Sequence, residues 1–221
     1  MSKESKVKGF KVVMLGESGV GKTSIISQFI DQIFQDDLQS STGGTFSSKT
    51  FIYNKDKELK FEIWDTAGQE RYRSLTKMFY KDANSAVLVY DKTRAESYQE
   101  LKEYWVNEIK EYGPKDLILI VCANKSDLED ENVDETEARD FAKQIGAIFC
   151  STSAKNRFGI DDLFLEIAKK YTGDENVKIK NDGDSDENHQ ISEEKKEEVK
   201  NDNIQLSKKD VKKKKKGLGF C

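Results

Sequence analysis

Residues 16–23 read Gly-Glu-Ser-Gly-Val-Gly-Lys-Thr, a complete G-x-x-x-x-G-K-[ST] pattern. The apolar run Lys11-Val12-Val13-Met14-Leu15 leads into it, and Ser24-Ile25-Ile26-Ser27-Gln28-Phe29-Ile30 leaves it with helical spacing. Strand, glycine-rich loop and helix in that order make a cradle for a polyphosphate. The glycines let the backbone fold around phosphate oxygens and aim N–H groups at them. The helix N-terminus adds the positive end of its dipole. This side of the candidate site comprises Gly16, Ser18, Gly19, Val20, Gly21, Lys22, Thr23 and Ser24. Lys22 is expected to reach the β- and γ-phosphates, and Thr23 to ligate Mg²⁺. In this context the pattern predicts a nucleoside-triphosphate binder rather than a chance glycine-rich turn.

Apolar, strand-like runs alternate with helical patterns along the rest of the chain. Strands are expected at Phe10–Leu15, Phe46–Tyr53, Leu59–Trp64, Ala86–Tyr90, Leu117–Ala123 and Ala147–Cys150. Asn54-Lys55-Asp56-Lys57 reads as the turn of a hairpin. Helices are expected over Ala95–Tyr112, Asp134–Ile145 and Ile160–Tyr171. Such alternation predicts an α/β fold with a mostly parallel, six-stranded sheet, its hairpin adding one antiparallel edge. Ligands of such sheets sit at the carboxyl ends of the strands, where the glycine-rich loop already lies.

The chain has 221 residues and a formal net charge of −4, which argues against a dedicated nucleic-acid binder. No apolar stretch approaches the roughly 20 residues a membrane span needs. The N-terminus Met-Ser-Lys-Glu-Ser-Lys carries no signal-peptide pattern and lacks the second-position Gly of myristoylation. Three cysteines without metal-ligand spacing fit a reducing compartment. From 173 onward the composition turns polar and charged, and 173–207 holds no aromatic residue. A disordered tail over 173–221 is expected, because such a segment buries too little surface to offset chain entropy. The tail ends in Lys212–Lys216 and Gly217-Leu218-Gly219-Phe220-Cys221.

Two further segments select the nucleotide. Asn124-Lys125-Ser126-Asp127 follows the run Leu119–Ala123. A carboxylate at Asp127 can accept hydrogen bonds from guanine's ring N–H and its amine, a pair adenine does not offer. Asn124 is expected to tie this loop to the glycine-rich one, and the Lys125 stem to cover the base. Ser153-Ala154-Lys155 adds a backbone donor for the guanine carbonyl, with Lys155 against the base. The second segment is Asp65-Thr66-Ala67-Gly68-Gln69. Asp65 is expected to hold Mg²⁺ through a water, Gly68 to offer its N–H to the γ-phosphate, and Gln69 to orient an attacking water.

These residues resemble the Ras-superfamily small GTPases over roughly 9–172. Lys60-Phe61-Glu62-Ile63-Trp64, Arg71-Tyr72-Arg73-Ser74-Leu75, Phe79-Tyr80-Lys81-Asp82-Ala83 and Leu88-Val89-Tyr90-Asp91-Lys92-Thr93 resemble segments of the Rab family. The resemblance implies a three-layer P-loop G domain over 7–172 and a hypervariable tail over 173–221. It implies GTP, GDP and Mg²⁺ as ligands, Gln69 as the catalytic residue, and slow hydrolysis without an activating protein. Phe34 becomes the candidate for stacking on guanine, and Phe46, Trp64 and Phe79 an aromatic surface read by effectors. The same three aromatics also suit packing between the hairpin and a helix. Expected partners are an exchange factor, an activating protein, effectors and escort or extraction proteins around a monomeric chain. The expected location is the cytoplasmic face of an intracellular membrane, in exchange with the cytosol, in vesicle-mediated transport.

The first switch departs from the family. Where Rab proteins carry Thr-Ile-Gly-x-x-Phe, this chain reads Ser41-Thr42-Gly43-Gly44-Thr45-Phe46. Counting from Phe46 gives Ser41 as the Mg²⁺ ligand; residue type and the distance to Asp65 give Thr42. A guanine-nucleotide-bound scaffold with little hydrolysis or switching is the alternative reading. Cys221 is the candidate lipid site although the C-a-a-X signal is absent, since Leu218 stands where its Cys would be. The lysine run would supply a second membrane signal.

Overall fold

A computed structural model describes residues 8–36, 44–66 and 78–180. Strand β1 (Lys8–Leu15) leads through the glycine-rich loop into helix α1 (Lys22–Ile30). Strands β2 (Thr45–Tyr53) and β3 (Lys57–Asp65) form the antiparallel hairpin, closed by residues 54–56 with Tyr53 opposite Lys57. Asn54 and Lys55 take the left-handed conformation there, with φ of 47° and 77°. After β4 (Ser85–Asp91) come α2 (Ala95–Glu100), a π-helical turn Leu101–Trp105 and α3 (Val106–Tyr112). β5 (Ile118–Asn124), α4 (Glu135–Gln144), β6 (Ile148–Ser151), α5 (Ile160–Thr172) and β7 (Lys178–Ile179) complete the order.

The sheet runs β6-β5-β4-β1-β3-β2-β7. Contacts among β6, β5, β4, β1 and β3 are parallel; those of β2 with β3 and β7 are antiparallel. Successive residues of a strand face opposite sides, and β1 divides its side chains accordingly. Phe10, Val12 and Met14 join the core under α1 and α5. Val13 and Leu15 join the core under α2, α3 and α4. The result is three layers, as expected. On the first side Phe29 stacks on Phe164 at 3.9 Å between ring centres, and Phe51 packs against Phe61 with the rings tilted, at 4.3 Å. Each such side chain contributes about 1.5–3 kcal/mol by leaving water. β4 is buried at every position, which is why its run shows no alternation.

Two features differ from the sequence reading. The expected single helix 95–112 contains a wide turn: the Val106 N–H donates to the Leu101 carbonyl, five residues back. That spacing puts Leu101 and Val106 into the same core. Second, the sheet has seven strands rather than six, and the compact unit continues past 172 to Ile179. Gly173 ends α5 in the left-handed conformation. The Asp174 carboxylate accepts the Asn54 N–H at 2.6 Å, and Val177 is buried in the first core. Lys178 and Ile179 then pair with Ile52 and Phe51 at the edge of the sheet. One buried valine and a two-residue strand are too short to register in a window of charged residues.

Val177→Ala is expected to cost about 2 kcal/mol and lower the thermal midpoint by roughly 4–8 °C. Thermal unfolding against the parent chain checks this; an unchanged midpoint would mean that the segment after α5 adds nothing to the core.

Candidate functional site

The parallel strands all end at one edge, and the loops that leave them converge there. Between them lies a cavity of about 330 Å³. On one wall stand Ser18, Gly19, Gly21, Lys22, Thr23 and Ser24; on the other, Asn124, Lys125, Asp127, Ala154 and Lys155. Phe34, half-buried, lines the same space.

The glycine-rich loop wraps its own lysine. Lys22 Nζ donates to the Gly16 carbonyl at 2.9 Å and the Glu17 carbonyl at 2.8 Å. Burial lowers its pKa to about 8, against the pull of the Asp65 and Glu17 carboxylates. Gly21 begins α1 with φ of 98°, and a Cβ there would lie 2.3 Å from Asn124 Nδ2. Only glycine allows that approach. At the mouth of α1, Thr23 Oγ1 donates to Asp65 Oδ2 at 2.6 Å. A hydroxyl and a carboxylate in contact are hard oxygen donors of the kind Mg²⁺ takes alongside water and phosphate.

The opposite wall is tied together by Asn124, which is 1 % exposed. Its Nδ2 donates to the Val20 carbonyl at 2.8 Å. Its Oδ1 accepts from the Thr152 hydroxyl at 3.2 Å and the Ala154 N–H at 3.3 Å. Lys125 Nζ pairs with Asp91 Oδ2 at 2.6 Å. Burial pushes the Asp91 carboxyl up, but hydrogen bonds from Lys125 and Thr93 outweigh it and hold it below its ordinary value. Ser153 Oγ donates to Asp127 Oδ1 at 2.5 Å.

A phosphate loop thus faces an Asn-Lys-Ser-Asp loop across one cavity. Residues 11–173 match the sequence model described as Ras family. Ras-related protein Rab-22A of Mus musculus is 43% identical over 161 residues, 72% of this chain and 82% of the relative. Rab-31 of the same species is 41% identical over 165 residues, 74% and 84% of the two chains. Rab-5A of Dictyostelium discoideum is 42% identical over 171 residues, 77% and 84%. The chain is a Rab-family member of the Ras superfamily. Proteins of this family bind guanine nucleotides.

Several expected Rab site residues lie elsewhere than on the cavity wall. Val20 packs in the core, and Gly16 stands beneath the loop as an acceptor for Lys22. Ser153 is fully buried behind Asp127, which it orients. Gly68, Gln69, Ser41, Thr42 and Cys221 fall outside the described residues. Phe46, Trp64 and Phe79 do meet: Trp64 lies 5.4 Å from Phe46 and 5.7 Å from Phe79 between ring centres. Phe46 is 51% exposed. Gly44 packs under this group, since a Cβ there would come 2.6 Å from Phe79 Cζ.

The sequence reading missed Gln35, Asp36, Thr66 and Leu128 on the cavity wall. Thr66 and Leu128 adjoin Asp65 and Asp127, so proximity alone was their signal. Gln35 and Asp36 sit in a stretch without periodicity and gave none.

Proposed function

We propose that this Rab-family chain is a GTP/GDP switch that hydrolyses GTP slowly and recruits partners on a membrane. What carries the reading is a cavity with the phosphate loop on one wall and Asn124, Lys125 and Asp127 on the other. Asp127, held by Ser153, receives the guanine N–H groups. Phe34 and the Lys125 and Lys155 stems enclose the base. Backbone N–H groups of the loop and the Lys22 ammonium bind the phosphates. A polyphosphate is a stronger partner for a buried ammonium than two carbonyls. Thr23 and Asp65, with Ser41 or Thr42, would hold Mg²⁺. When bound, the ion neutralises charge on the outer phosphates.

In the reaction a water oxygen attacks the γ-phosphorus as the bond to the bridging oxygen breaks. GDP and inorganic phosphate result. Gln69 orients that water. Loss of the γ-phosphate releases both switch segments, so effectors distinguish the two states through Phe46, Trp64 and Phe79. The Ser41-Thr42-Gly43-Gly44 stretch is the one feature that favours the second reading, a nucleotide-bound scaffold with little hydrolysis or switching.

Among the described residues no helix is long and apolar enough to cross a membrane. Attachment is assigned to a lipid on Cys221 together with Lys212–Lys216, since one lipid anchors only marginally. Each lysine adds about 1 kcal/mol near an anionic leaflet.

Asp127→Ala is expected to weaken GDP and GTP binding by roughly 5–150-fold, from the cost of unpaired buried donors. A competition titration with ATP measures the selectivity directly; equal affinity of the parent chain for ATP and GTP would sink the assignment. Gln69→Leu is expected to slow single-turnover hydrolysis at least ~10-fold with GTP affinity kept, because the residue acts on the water. A parent chain without turnover would leave the scaffold reading standing. Cys221→Ser is expected to shift the chain from membranes to cytosol. Intact mass spectrometry of membrane-bound parent chain carrying no added isoprenoid would overturn the lipid assignment.

A further inference from the structure

Arg94 follows β4 and reaches the glycine-rich loop from outside the cavity, which it does not line. Its Nη2 donates to the Ser18 carbonyl at 3.0 Å and stands 3.4 Å from Glu17 Oε2. A Cβ on Gly19 would come 4.0 Å from its Nη1. The turn that carries Arg94 is built by backbone. The Arg94 N–H donates to the Asp91 carbonyl at 3.0 Å, and the Arg94 carbonyl accepts from the Ser97 N–H and hydroxyl at 3.0 and 2.7 Å. The guanidinium is therefore not needed to form the turn, and its contacts serve the loop.

A peptide unit is planar, and a trans one points its C=O and N–H in opposite directions. None of the described peptide bonds is cis. The carbonyl of Ser18 and the N–H of Gly19 belong to one such unit. Fixing the carbonyl toward Arg94, behind the loop, turns the Gly19 N–H the other way. Ser18 and Gly19 both line the cavity, whereas Arg94 does not. The bond is charge-assisted and so stronger than a neutral one. Glu17 balances the guanidinium, so the cation braces the loop instead of competing with Lys22 for a phosphate.

We propose that Arg94 is a positioning residue that, by holding the Ser18 carbonyl, presents the Gly19 N–H to the outer phosphates of a bound guanosine di- or triphosphate. The proposal rests on the guanine-nucleotide reading above. A donor fixed beforehand loses nothing to reorganisation when the phosphate arrives. Without the guanidinium, the Ser18 carbonyl loses its charge-assisted partner, and the orientation of the Gly19 N–H is less tightly set.

The test uses the full chain with Arg94→Gln. Affinities for GDP, GTP and guanosine monophosphate are measured by titration, and the Gly19 amide is followed by nuclear magnetic resonance. GDP and GTP are expected to bind about tenfold more weakly. Guanosine monophosphate, which keeps the base and sugar but lacks the outer phosphates, should stay within about twofold, as expected for a contact aimed at those phosphates. The shift of the Gly19 amide on adding GDP should shrink. Unchanged GDP affinity, or equal losses for GDP and the monophosphate, would overturn the proposal. Should Arg94→Gln fail to fold, Arg94→Lys is read in the same way, since it keeps the charge beside Glu17 but lacks the planar fork. A parent chain that binds no guanine nucleotide would instead remove the reading on which the proposal stands.

Discussion

The Asn124 amide is where the loops after β1, β5 and β6 meet. It donates to the Val20 carbonyl and accepts from the Ala154 N–H and the Thr152 hydroxyl. A parallel sheet delivers its loops to one edge but does not set the gap between them. Here the gap is set by a side chain of fixed length, with Gly21 pared to a hydrogen so that the amide fits. Each buried group it satisfies would otherwise cost about 1–3 kcal/mol. The spacing between the phosphate wall and the base wall follows from those bonds, and the cavity's width follows from the spacing.

Charge around the cavity is arranged by the same logic of prior commitment. Lys22 is held by two carbonyls, Arg94 by Glu17 and the Ser18 carbonyl, and Lys125 by Asp91. Of the three, Lys22 is buried most deeply and has the most to gain from an anion, because desolvation opposes its charge. The other two already have carboxylate partners. An arriving polyphosphate thus gains most at Lys22, the buried cation of these three that is held by carbonyls.

The strands and the main site motifs were legible because each rests on local pattern. Glycine spacing, a continuous apolar run before Asn124 and alternation in β3 report backbone demands within a few residues. What was not legible depends on distant neighbours. Ser153 stands behind Asp127 rather than on the cavity wall, a matter of how β6 packs against β5. Val20 looks like its loop neighbours in the motif, yet it turns into the core. β7 consists of two residues whose strand character comes from the free edge of β2, not from their own propensity. The π-helical turn has its cause in the core beneath it, which Leu101 and Val106 both enter.

β7 also decides how the domain bears mechanical load. It runs antiparallel to β2, so the chain leaves Ile179 heading along β2 toward its Thr45 end. A pull on the following residues along that direction loads the β2–β7 backbone pairs in shear, together rather than one after another. Beyond Thr45, β2 continues into the chain segment that carries Ser41 and Thr42. The strand that bears this load therefore begins one residue after Gly44, the last residue of the Ser41–Gly44 stretch in the sequence.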